Sequence, residues 1–61
     1  MSQEYPAQFV IRERDGRRFF FDLDLDGISA EWRYGAAAVM SKEEADVIIR
    51  QYPEAELVRV A

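Results

Sequence analysis

The chain has 61 residues, 49% of them hydrophobic, and a formal net charge of −4 at pH 7, with no Cys and no His. So short a chain holds one small core and buries only about 60% of the surface its unfolded form exposes. The missing residue types exclude disulfides, thiolate chemistry, imidazole bases and the commonest metal ligand, while four Phe, three Tyr and one Trp argue against a disordered acidic tail.

In chain order, a polar leader (1–8) precedes a folded core (9–60) of one domain spanning 1–61. "FVIRER" (Phe9 to Arg14) and "RRFFFDLDL" (Arg17 to Leu25) flank Asp15-Gly16. Asp-Gly between two apolar-rich runs predicts an antiparallel hairpin, with Gly16 taking the positive φ of the turn. A second Asp-Gly, at Asp26 and Gly27, leads into "ISAEWRY" (Ile28 to Tyr34), a third strand by its alternation. The segment "GAAAVM" (Gly35 to Met40) fits a strand extension, a bulge at Gly35 or a helical turn. "SKEE" (Ser41 to Glu44) is a capping box that starts a helix. Ala45, Ile48, Ile49 and Tyr52 form its apolar stripe, flanked by Val47, and Pro53 ends it near Gln51 or Tyr52. "AELVRV" (Ala55 to Val60) is a closing strand. The expected fold is α+β in the order β-β-β-α-β, a small antiparallel sheet covered on one side by a single amphipathic helix.

Asp22, Asp24, Asp26 and Gly27 match the first half of a calcium loop. The twelfth position, which should supply a bidentate Glu, is Arg33, and the upstream segment reads as a strand rather than a helix. No metal site is assigned. As a strand, the stretch puts Phe19, Phe21, Leu23 and Leu25 on one face, taken as the core side, and Phe20, Asp22, Asp24 and Asp26 on the other. Three carboxylates then stand about 7 Å apart, either as a plain solvated face or as a binding surface.

Accumulation favours a surface for binding. Glu31 extends the acidic face, and Glu43, Glu44 and Asp46 crowd the helix start, where they also complement the helix dipole. From Phe19 onward, nine acids stand against four bases. Fixed carboxylates near phosphate spacing suit the Lys and Arg side chains that nucleic-acid-binding proteins offer to phosphates. Arg12, Arg14, Arg17 and Arg18 gather at the first turn. Direct nucleic-acid binding with Phe20 as a stacking ring is disfavoured by the net negative charge, and these arginines read instead as partners of neighbouring acids, as edge protection or as a secondary contact with a partner. The chain has no nucleophile motif, no glycine-rich phosphate loop, no cofactor motif and no room for a pocket of several hundred Å3 without hollowing the core, so an enzyme is not expected. Trp32 is either core or, if outward, an anchor.

A DG hairpin, a Trp-bearing third strand, "SKEEA", an amphipathic helix and a closing "AELVRV" strand resemble the small single-domain proteins of bacteriophages and mobile elements, among them anti-CRISPR proteins. The resemblance covers layout over about residues 9 to 60 and acidity, with no transferable motif. It implies a non-enzymatic inhibitor in the cytoplasm of a bacterial host. Such a protein binds a CRISPR-Cas effector, for instance a type I surveillance complex, and blocks target-DNA recognition by mimicking nucleic-acid charge. On the charge argument, the partner-binding residues are Asp22, Asp24, Asp26, Glu31, Glu43, Glu44, Asp46 and Phe20. The alternative is a phage or host assembly module that docks through Phe20 and Trp32. A cytoplasmic location also agrees with the absence of a signal peptide in "MSQEYPAQ", and no apolar run approaches the roughly 20 residues of a membrane span. A monomer is expected over a dimer.

Overall fold

The computed structural model describes residues 7–61, so the expected leader lies outside the described residues as far as Pro6. The elements are β1 (Phe9–Glu13), β2 (Phe19–Leu23), β3 (Ala30–Arg33), α1 (Lys42–Gln51) and β4 (Ala55–Arg59). The fold is α+β in the expected order. One antiparallel sheet has the strand order β3-β2-β1-β4, and α1 packs across one face against β1 and β4. Among the described residues no helix is long and apolar enough to cross a membrane.

The helix forms where its signals lie. Ser41 Oγ accepts from the Glu44 amide at 3.3 Å, and Glu43 and Glu44 in the first turn with Arg50 in the last complement the dipole. Ala45 is fully buried, with Ile48, Ile49 and Tyr52 packed on the same cluster. The Tyr52 amide still reaches the Ile48 carbonyl at 2.9 Å, after which Pro53 supplies no donor.

The core consists of Phe9, Ile11, Phe20, Met40, Ala45 and Ala55, with Ile11 at 0% exposure. This corrects the face assignment in β2. The β1–β2 register sets Arg12 opposite Phe19, so Phe19 shares the open face with Arg12, and Phe20, one residue on, falls on the Ile11 side. Phe20 is 6% exposed, whereas Phe19 and Phe21 are only half-buried. A bulge then interrupts the β2–β3 ladder. Phe20 faces Trp32 and Asp22 faces Glu31, leaving Phe21 as the extra residue, with the Arg33 guanidinium 4.1 Å from its ring centroid.

The turn chemistry also differs from expectation. The first hairpin closes where the Glu13 amide meets the Arg18 carbonyl at 2.8 Å, leaving a loop of Arg14 to Arg17, and the positive φ falls on Arg17 (59°) rather than on Gly16. Gly16 matters for space instead, because a Cβ there would collide with the Glu13 carboxylate. That carboxylate receives Arg18 Nε and Nη2, each at 2.8 Å.

Residues 35–40 take none of the regular forms expected. Gly35 (φ 71°) turns the chain after β3. Ala38 then donates to the Phe20 carbonyl at 2.9 Å, and Met40 exchanges two 2.9 Å backbone bonds with Phe9. β1 and β2 therefore part beyond the Arg12–Phe19 pair, and this segment fills the wedge. On its other side β1 pairs with β4 along its whole length, from Phe9 opposite Arg59 to Glu13 opposite Ala55. Gln8 extends that ladder to Val60 and Ala61, so the ordered fold begins before the expected end of the leader at residue 8.

Candidate functional site

The parting of β1 and β2 shapes the surface. Between β2, the Ala38–Met40 segment and α1 lies an open groove of about 410 Å3. This corrects the expectation that the chain has no room for a recess of that size, since the volume comes from the surface and not from a hollowed core. Leu23, Val39 and Val47 line it, and each is markedly exposed for an apolar residue. Asp22 from β2 and Glu44 from α1 line the same groove. The structure thus brings one acidic residue of a strand and one of the helix into the lining of a single, largely apolar groove.

The other acids are distributed differently. The straight row of three aspartates does not form, because β2 ends at Leu23 and Asp24 and Asp26 belong to the turn. The Asp24 amide donates to the Ser29 carbonyl at 2.7 Å, and its carbonyl accepts from Gly27, at φ 69°, at 2.8 Å. Asp26 accepts from the Ile28 amide at 2.8 Å, the Ser29 amide at 2.9 Å and Ser29 Oγ at 3.0 Å. These bonds, from the Ser29 amide first, hold the Asp26 carboxyl below its ordinary range. Asp26 is therefore a turn former as well as an exposed charge. Asp22 accepts from its own neighbour, the Leu23 amide, at 2.8 Å.

Glu31, opposite Asp22, is paired with Arg33 on its own strand. Asp46 is paired with Lys42 at 3.1 Å, one helical turn away, whereas Glu43 stands exposed at the helix start. Phe20 is a core residue, 6% exposed, and takes part in the site only as buried lining of the groove. Among the described residues no group of three or more His, Cys, Asp or Glu side chains converges on a possible cation position.

The β2–β3 turn also presents apolar surface. Leu25, assigned by alternation to the core side, is fully exposed, and Ile28 is 75% exposed. Leu23, given the same assignment, is also classed as exposed. Leu25 lies past the end of the strand, where alternation no longer holds, and Leu23, the last residue of β2, is left open because α1 packs on β1 and β4. Trp32 is half-buried, edge to face with Phe20 (centroids 5.9 Å apart) and with Tyr52 (5.6 Å).

Two of the four arginines pair with acids, as the sequence suggested, whereas β1 and β2 are inner strands and their turn protects no sheet edge. Arg12 pairs with Glu56, its cross-strand neighbour, and Arg18 with Glu13. Hydrogen bonding to Arg18 holds the Glu13 carboxyl below its ordinary range and raises the guanidinium in return. Arg14 and Arg17, with Arg12, Phe19 and Glu56, line a second recess of about 400 Å3 on the open face. Compared with protein-family models, curated proteins and solved structures, the chain matches none.

Proposed function

We propose that the protein is a non-enzymatic acidic inhibitor that occupies a basic, phosphate-binding surface of a protein partner, the anti-CRISPR mode implied for a CRISPR-Cas effector. The observation that carries this reading is that Asp22 and Glu44 line one groove together with the exposed Leu23, Val39 and Val47. Carboxylates flanking apolar side chains suit a partner segment in which Lys or Arg alternates with aliphatic residues. Asp24, Asp26 and Glu43 extend the acidic field from the turn and the helix start. Glu31 and Asp46, each paired within the chain, contribute less.

The test is binding to an immobilised type I surveillance complex over a salt series. Wild type should weaken steeply with salt, because exposed charges are screened over about 10 Å at 0.1 M. Asp22→Asn combined with Glu44→Gln should lower affinity by roughly tenfold, the loss of one or two charge-assisted contacts, whereas Asp46→Asn should change little. A second reading, an assembly module that docks through apolar side chains, is favoured by the exposure of Leu25 and Ile28. It predicts flat salt dependence and loss of binding in Leu25→Ser with Ile28→Ser.

A further inference from the structure

Among the described residues β3 is an edge strand, bonded to β2 on one side only. The direction of its free backbone groups follows from β2. Phe20 turns its carbonyl toward Ala38, on the β1 side, at 2.9 Å. The Phe20–Trp32 pair is therefore one of the non-hydrogen-bonded pairs of the ladder, and Trp32 points its own N–H and C=O at the open edge. Unpaired groups of this kind template another strand.

We propose that β3 pairs antiparallel with β3 of a second copy across a two-fold axis through Trp32, fusing the two sheets into one. Such a joint can centre on any of the four residues of β3; centred on Ala30 it engages only the end of the strand, and charge decides among the other three. Centred on Glu31 it sets Glu31 against itself, and centred on Arg33 it sets Arg33 against itself. Centred on Trp32 it sets Glu31 of each copy against Arg33 of the other, on both sides of the axis. Opposite charges directly across a ladder stabilise it and like charges destabilise it. In the same register Trp32 exchanges both backbone bonds with its symmetry mate, and Tyr34, 73% exposed in the single chain, lies across from Ala30. Self-complementarity of one patch is what a two-fold interface requires. The joint exchanges the two internal Glu31–Arg33 pairs, one in each chain, for two between chains. It does not depend on the function proposed above, since Asp22, Asp24, Asp26 and Glu44 all lie off β3. It reverses the monomeric state expected from the sequence.

The experiment uses two charge variants. Wild type should show a mass rising from monomer toward dimer with concentration in sedimentation equilibrium. The fluorescence anisotropy of Trp32, the sole tryptophan, should rise in step. Glu31→Arg opposes Arg to Arg at both positions and Arg33→Glu opposes Glu to Glu, so each alone should associate roughly tenfold more weakly. Mixed in equal amounts, the two should form a heterodimer, because every Arg then meets a Glu. Both variants have lost the internal Glu31–Arg33 pair, so recovery on mixing reports the contact between chains. A wild type that stays monomeric throughout, or a mixture no larger than its components, overturns the proposal. If circular dichroism shows either variant unfolded, the wild-type mass series decides alone.

Discussion

Phe20 meets Trp32 edge to face across the β2–β3 ladder, ring planes at 83° and centroids 5.9 Å apart, and Trp32 meets Tyr52 of the helix terminus in the same manner at 85°. The three rings tie the edge of the sheet to the end of α1. Pairs in this geometry contribute about 0.5–1.5 kcal/mol beyond their area burial. Phe20→Ala is accordingly expected to cost about 3–5 kcal/mol, enough to unfold a domain with so small a core. Urea denaturation monitored by Trp32 fluorescence checks this. A loss below about 1 kcal/mol would return Phe20 to the surface, where a partner anchor belongs.

The helix start gives a smaller, local test. Ser41→Ala removes the acceptor for the Glu44 amide and should cost about 1 kcal/mol, within the range for N-caps. Ser41→Asp should retain most of the stability, since its carboxylate takes the same donor and faces the positive end of the dipole. The denaturant midpoints of the two variants separate capping from simple loss of contact.

Acid sensitivity should trace to Asp26 and Glu13, the carboxyls held below their ordinary range by the Ser29 and Ile28 donors and by Arg18. A group depressed in the folded state contributes stability that is fully present above its unfolded value. That stability is lost as pH falls through the folded one. The melting temperature should therefore be level near neutrality and fall below about pH 4. Asp26→Asn, which keeps Oδ1 for the amides, should shallow that fall without abolishing it. Both groups are at the surface, so the effect is modest. A melting temperature that rises on acidification would contradict the assignment.

Arg17 carries the left-handed turn conformation, φ 59°. Arg17→Gly relieves roughly 1–2 kcal/mol of local strain but frees the unfolded chain by about 0.4–1 kcal/mol, so stability should be unchanged or rise by up to about 1.6 kcal/mol. Arg17→Val should be clearly destabilising, since a β-branched residue is a genuine outlier at positive φ. Equal midpoints for the two variants in guanidinium would show that the loop tolerates another backbone path.

The element order, the capped helix and its apolar stripe were legible because each rests on chemistry local to a few residues. The inward face of β2 was legible too, although alternation within the strand was not where it was written. With Asp15-Gly16 as the turn, Arg12 falls opposite Phe19, and once Ile11 is inward Phe20 must follow it. The register of the hairpin thus contradicted the choice of Phe21, and the structure follows the register. Three features lay beyond local reading. The bulge at Phe21 depends on how β3 meets β2, the wedge formed by Ala38 and Met40 depends on contacts distant in sequence, and the groove lined by Asp22 and Glu44 depends on both. The Asp26 cap was visible in part, since Asp-Gly followed by Ile-Ser offers amides and a hydroxyl within reach of a carboxylate.

The pairing of Phe9 with Arg59 has a consequence for biosynthesis. β1 emerges from the ribosome first and β4 last, yet the two are neighbours along their whole length. Until the final strand has been translated, β1 carries an unsatisfied edge and Ile11 lacks part of its cover. The first hairpin and the helix can form before β4 is made, but the sheet cannot close around β1 until β4 has followed them. Sequence-distant pairing of this kind slows folding, and it makes the growing chain dependent on protection during the interval when β1 stands open.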